Sequence, residues 1–145
     1  MKQGYRLLGL GVLIALLLLI GFLAKQAERD QPTSIDPTLR TIVVVPPGIA
    51  RPTPQGNDIL VDLERGAVPA GIHRATVVTD QECAPDANGV SHCLNEMVIG
   101  RTTFAIRHHH NMMEEPCFSP TEQVNVIDAA TYSTISDKTA EQNGR

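Results

Sequence analysis

Residues 7–24 read LLGLGVLIALLLLIGFLA, 18 positions without a charge. As a helix rising about 1.5 Å per residue, such a run is about 27 Å long, close to the thickness of a bilayer hydrocarbon core. This run is expected to cross a membrane, so the rest of the chain lies on one side of it. Lys2 and Arg6 precede the run, whereas Lys25 and Arg29 behind it are offset by Glu28 and Asp30. The positive-inside bias therefore keeps residues 1–6 in the cytoplasm and exports the chain beyond the run. A cleaved signal peptide has a shorter apolar region, about 7–15 residues, and ends in small residues. Here Phe22 and Lys25 stand where cleavage after Ala24 or Ala27 would want small side chains. The expectation is a single-pass signal-anchor in the cell membrane, with the C-terminal part on the extracytoplasmic, periplasmic side.

The exported part is small and poor in aromatic residues. The whole 145-residue chain has no Trp, three Phe and two Tyr, which suits one modest core and excludes a two-domain enzyme. From Gln31 onward, 8 Lys and Arg stand against 14 Asp and Glu, a net charge of −6. That sign is wrong for a phosphate-binding surface, and nucleic acid is not an expected partner.

Six of the ten prolines fall in residues 31–56, a density that forbids helix and favours an extended stalk over 25–56. Thr41 to Val45 is a β-branched run inside that stalk, able to join the domain as an edge strand. Beyond it the hydrophobic period becomes two. Ile59, Val61 and Leu63 alternate with Asp58, Asp62 and Glu64, though Leu60 breaks the polarity of the second face, and further strands are expected over 72–79, 95–99, 102–107 and 123–127, separated by Gly, Pro or Asn-Gly turns. No convincing helical period follows Ala24. The expected fold is all-β, a small antiparallel barrel of oligonucleotide/oligosaccharide-binding type or a sandwich of five to six short strands. The domain would span 57–135, before a disordered tail at 136–145.

Chemistry concentrates in one window. Of twelve Cys, His and Met side chains, ten lie between Cys83 and Cys117, and only Met1 and His73 fall outside. Cys83 and Cys93 flank Asp86-Ala87-Asn88-Gly89, a turn sequence; a three-residue hairpin loop at 87–89 sets 86 opposite 90 and 83 opposite 93. A Cys83–Cys93 disulfide is therefore expected in an exported domain, leaving Cys117 unpaired. A dithiol metal site that includes His92 is the alternative use of this pair. Before Cys117 runs Arg107-His108-His109-His110-Asn111-Met112-Met113. On a strand, His108 and His110 share one face and His109 takes the other, and the turn after it can bring Met112, Met113 and Cys117 back towards the pair. Imidazole, thioether and thiolate together suit copper; zinc would use His and Cys but has little liking for thioether.

No family is recognised. Electron-transfer cupredoxins place Cys before His and Met in their copper loop, the reverse of the order here. Ser91-His92-Cys93-Leu94-Asn95 is similar to an L,D-transpeptidase signature but lacks its Gly and Arg, and Cys93 as nucleophile with His92 as base has no further support. No other acid/base pair stands out, so the chain is not read as an enzyme. The expectation is a membrane-anchored metal-binding protein handling copper by trafficking, sensing or delivery to a membrane enzyme or transporter. The alternative is a metal-free accessory subunit of a cell-envelope complex, held by its anchor and stapled by its disulfide.

Overall fold

A computed structural model of the chain describes residues 34–143. Six strands form a closed barrel: β1 (Thr41–Val45), β2 (Ile59–Arg65), β3 (Ile72–Gln81), β4 (Ser91–Ile99), β5 (Thr102–His110) and β6 (Gln123–Asp128), with a helix, α1 (Ala129–Asn143), behind them. Around the barrel the order is β1-β2-β5-β4-β3-β6. The expected anchor at 7–24 lies outside the described residues. Among the described residues, no helix is long and apolar enough to cross a membrane.

The two-residue period does what it implies. Along β4 every second side chain from Ser91 to Met97 is buried, and the interior is filled by Ile42, Val44, Val61, Ala75, Val77, Met97, Phe104, Ile106, Val124 and Val126. With no Trp available, Phe118 completes this filling from a loop, fully buried although it belongs to no strand.

The barrel is mixed where an antiparallel one was expected. β1 runs parallel to β2 and parallel to β6, while the other four ladders are antiparallel. A parallel pair needs a long crossover rather than a hairpin, and residues 46–58 supply one. Their prolines need no ladder donors, which suits a segment running outside the sheet. Residues 34–56 are therefore part of the domain rather than a stalk. The Asp36 backbone exchanges two hydrogen bonds with the Asn125 side chain, Arg51 pairs with Asp62, and the Gln55 backbone N–H donates to the Tyr132 hydroxyl. β1 is accordingly an interior strand, not an edge.

The second correction is α1, which occupies the end of the expected domain and most of the expected disordered tail. Asp128 caps it, its Oδ1 accepting from the backbone N–H groups of Ala130 and Thr131 at 3.1 Å each. Only its first turn packs closely: Ala129 and Tyr132 are buried, and Tyr132 clusters with Val43 and Ile127 on the outer face of β1 and β6. Beyond that turn only Ile135 and Ser136 are half-buried and the residues that follow are exposed, so the helix leaves no long amphipathic stripe to read.

Candidate metal centre

Chain direction brings the starts of β1, β4 and β6 to the same mouth of the barrel as the ends of β3 and β5. The β4–β5 ladder pairs Ser91 with His110, His92 with His109 and Cys93 with His108. Alternation then points Cys93, His108 and His110 inward, all buried. His92 and His109 are on the outer face and more exposed.

Cys83 reaches this mouth through an irregularity. Gln81 pairs with Leu94, but Pro85 pairs with Ser91, so the β3 side carries one extra residue. Glu82 absorbs it with a left-handed backbone, φ 56°. The hairpin closes where the sequence placed it, with hydrogen bonds between Asp86 and Val90 and φ 80° at Gly89. Cys83 and Cys93 form the expected disulfide, Cα atoms 4.3 Å apart.

Cys117 is free, but it is not isolated. A turn at Asn111, whose carbonyl accepts from Glu114 and Glu115 N–H groups at 2.9 Å, reverses the chain after β5. Arg40 then fixes the returning loop. Its guanidinium donates twice to the Glu122 carboxylate at 2.8 Å and to the carbonyls of Pro116 and Cys117, with its Cζ 4.1 Å from the Phe118 ring centre. So held, Cys117 Sγ lies 3.7 Å from Cys93 Sγ and 3.6 Å from His110 Nε2, and Cys93 Sγ is 3.7 Å from that same nitrogen. Asp80 joins from the end of β3, its Oδ1 2.9 Å from Cys83 Sγ and accepting from Asn95 Nδ2 at 2.8 Å. The ligand atoms of Asp80, Cys83, Cys93 and Cys117 all lie within 4.8 Å of one another.

These separations match a coordination polyhedron. Thiolates at about 2.3 Å and an imidazole at about 2.05 Å from a tetrahedral ion imply S···S of about 3.8 Å and S···N of about 3.6 Å. Cys93, Cys117 and His110 already form that triangle. Cys83 and Asp80 cluster with the two sulfurs of this triangle, and Cys83 and Cys93 become strong ligands only when their disulfide is opened, because only thiolate sulfur ligates strongly.

Burial sets the protonation states. Burial, then the neighbouring His110, pushes His108 down to about 3, and His110 is also lowered, chiefly by burial with Asp80 opposing. Both rings are neutral near pH 7, as a ligand must be. If His110 Nδ1–H donates to His108 Nδ1, 2.9 Å away, the lone pair of Nε2 faces the sulfurs. Burial and the Asp80 charge raise the Cys117 thiol, so without a cation it stays protonated. Ser91, which pairs with His110, and Asn95, which donates to Asp80, have Oγ and Oδ1 buried without a protein hydrogen-bond partner, and the buried Glu115 Oε1 faces His108 Nε2 at 3.3 Å.

Of the side chains the sequence singled out, His110 and Cys117 meet at the cluster, and His108 stands one ring behind. Met112 and Met113 lie on the outside of the turn, 50% and 92% exposed, and are not brought to it. The sequence treated Cys83–Cys93 and the His-Cys117 set as separate features, but the barrel joins them. Asp80 was missed: a single Asp in a strand carries no spacing signal, and only the β3–β4 register puts it beside sulfur.

No family model matches the chain, and comparison with curated proteins and solved structures finds no match either.

Proposed function

We infer that the barrel mouth is a soft-metal centre controlled by thiol oxidation, in a membrane-anchored extracytoplasmic protein that handles copper. The observation that carries this reading is the Cys93–Cys117–His110 triangle, whose edges of 3.6–3.7 Å suit a shared ion. Three cysteines favour Cu(I), and the same set with His110 accommodates zinc. With the disulfide closed, Cys83 and Cys93 cannot act as thiolates and the centre is blocked; reduced, the mouth offers three. The membrane location rests on the run at 7–24.

The test is competition titration of the full-length protein with Cu(I) and, separately, Zn(II), in its reduced and disulfide forms. One ion per reduced chain is expected, with affinity at least about a hundredfold lower when the disulfide is closed. Cys117→Ser and His110→Ala should each weaken binding about tenfold or more, while Met112→Leu and Met113→Leu should not. A reduced chain that keeps no metal after desalting removes this reading. The closed disulfide then favours the accessory-subunit alternative, a stapled domain docked to a larger envelope complex.

A further inference from the structure

The outer face of the same two strands carries an arrangement that the sulfur cluster does not use. His92 of β4 and His109 of β5 are directly paired across the ladder, their rings edge-on with centroids 4.8 Å apart and their Nδ1 atoms within hydrogen-bond reach of each other. Each Nε2 faces a carboxylate from a different part of the fold: His92 faces Asp86 of the β3–β4 hairpin at 3.3 Å, and His109 faces Asp62 of β2 at 3.2 Å. A carboxylate accepts but cannot donate, so each carboxylate favours a proton on the Nε2 it faces. In that pair of tautomers the two Nδ1 lone pairs point at one another, and a shared cation, a proton or a metal ion, relieves the repulsion.

We propose that His92 and His109 form a second metal site, for a divalent transition ion bound through both Nδ1 atoms, with Asp86 and Asp62 orienting the rings from behind. Imidazole nitrogens suit copper, nickel and zinc, and among these Cu(II) binds most tightly. Two nitrogens each about 2.05 Å from one ion stand roughly 3 to 3.5 Å apart, a small opening that these partly exposed rings can make. Water completes the coordination on the solvent side. The site differs from the mouth in chemistry as well as place, since it has no sulfur and needs no reduction.

The experiment uses full-length Cys117→Ser protein with the Cys83–Cys93 disulfide closed, so that the mouth offers no thiolate and cannot reduce the probe. Cu(II) is titrated and followed by electron paramagnetic resonance. One Cu(II) per chain with imidazole nitrogen coupling is expected. His92→Ala and His109→Ala should each weaken it at least about tenfold, Asp62→Asn and Asp86→Asn by smaller factors, and His73→Ala should leave it unchanged. Circular dichroism of each variant checks that the barrel persists. Absence of stoichiometric Cu(II), or retention of the signal and affinity in the His92→Ala/His109→Ala double variant, overturns the proposal. The Cu(I) titration of reduced protein reports on the mouth separately, so either site can fail without the other.

Discussion

His108 is a fully buried imidazole between His110, with ring centroids 4.1 Å apart, and Phe118, at 4.7 Å. Its surroundings depress its proton affinity to a value of about 3. The unfolded chain takes up a proton at this residue as pH drops below about 6.5, whereas the folded chain does so only near 3. Between those values the unfolded state binds more protons, so the stability contribution, complete above pH 6.5, declines on acidification through the window. Glu115, raised by burial, acts in the opposite direction within the same acid range, which makes the comparison with a variant necessary. Denaturant melts of the metal-free protein from pH 7.5 to 4 should show falling midpoints, and His108→Gln should flatten the decline. An equally steep decline in the variant would place the acid sensitivity elsewhere.

At the scale of elements, the joins between strands are the sensitive points. Gly66, just after β2, has φ +85°, and a Cβ there would meet the Thr103 carbonyl oxygen at 2.9 Å and Phe104 Cα at 3.1 Å, both backbone. Gly89, in the β3–β4 turn, has a similar φ of +80° but open space around it. Gly89→Ala should therefore cost only the left-handed penalty, about 1 to 2 kcal/mol. Gly66→Ala adds a clash worth about 1 to 3 kcal/mol more, because β5 cannot retreat without losing its ladder to β4. Equilibrium unfolding of the two variants measures the difference, and equal losses would mean that β5 yields easily. The strands themselves were legible: Ile59, Val61 and Leu63, Phe104 with Ile106 and Val124 with Val126 announced their period, and Asn88-Gly89 announced its turn. The helix was not legible, because Thr131, Ser133, Thr134 and Thr139 are indifferent helix formers and its stability comes from the Asp128 cap and the Tyr132 contact.

For the whole molecule, the disulfide encloses a short loop, sequence separation 10, and reducing it should lower stability by about 2 to 3 kcal/mol. The barrel interior does not depend on it, so reduced protein should remain folded, as a thiolate metal centre requires. Near-ultraviolet circular dichroism and a denaturant melt with and without reductant check this; a barrel that collapses on reduction would leave the mouth no usable dithiol state. A barrel was one of the two expected folds, and the order of its staves was the part least visible in the sequence. Which strands neighbour one another depends on contacts between residues far apart in the chain, and the pattern of Thr41 to Val45 suits an edge strand and a barrel stave equally well. The same gap hid the union of Cys93 with Cys117, since the return path of the loop is set by Arg40 and Phe118, side chains with no evident link to the cysteines in one dimension.

β1, the first strand, is hydrogen-bonded to β6, the last, through pairs such as Thr41 with Asn125. During synthesis, therefore, the nascent chain cannot seal the barrel until residues beyond 122 have emerged, and until then β1 and β3 each lack the neighbour that β6 provides. Such a late, non-local closure keeps the growing polypeptide open and slow to commit. An open chain is the form that can be threaded across a bilayer, so, on the extracytoplasmic location proposed above, the ring that shelters the cysteines would be completed only after passage, in the compartment whose redox state decides whether their sulfurs are joined.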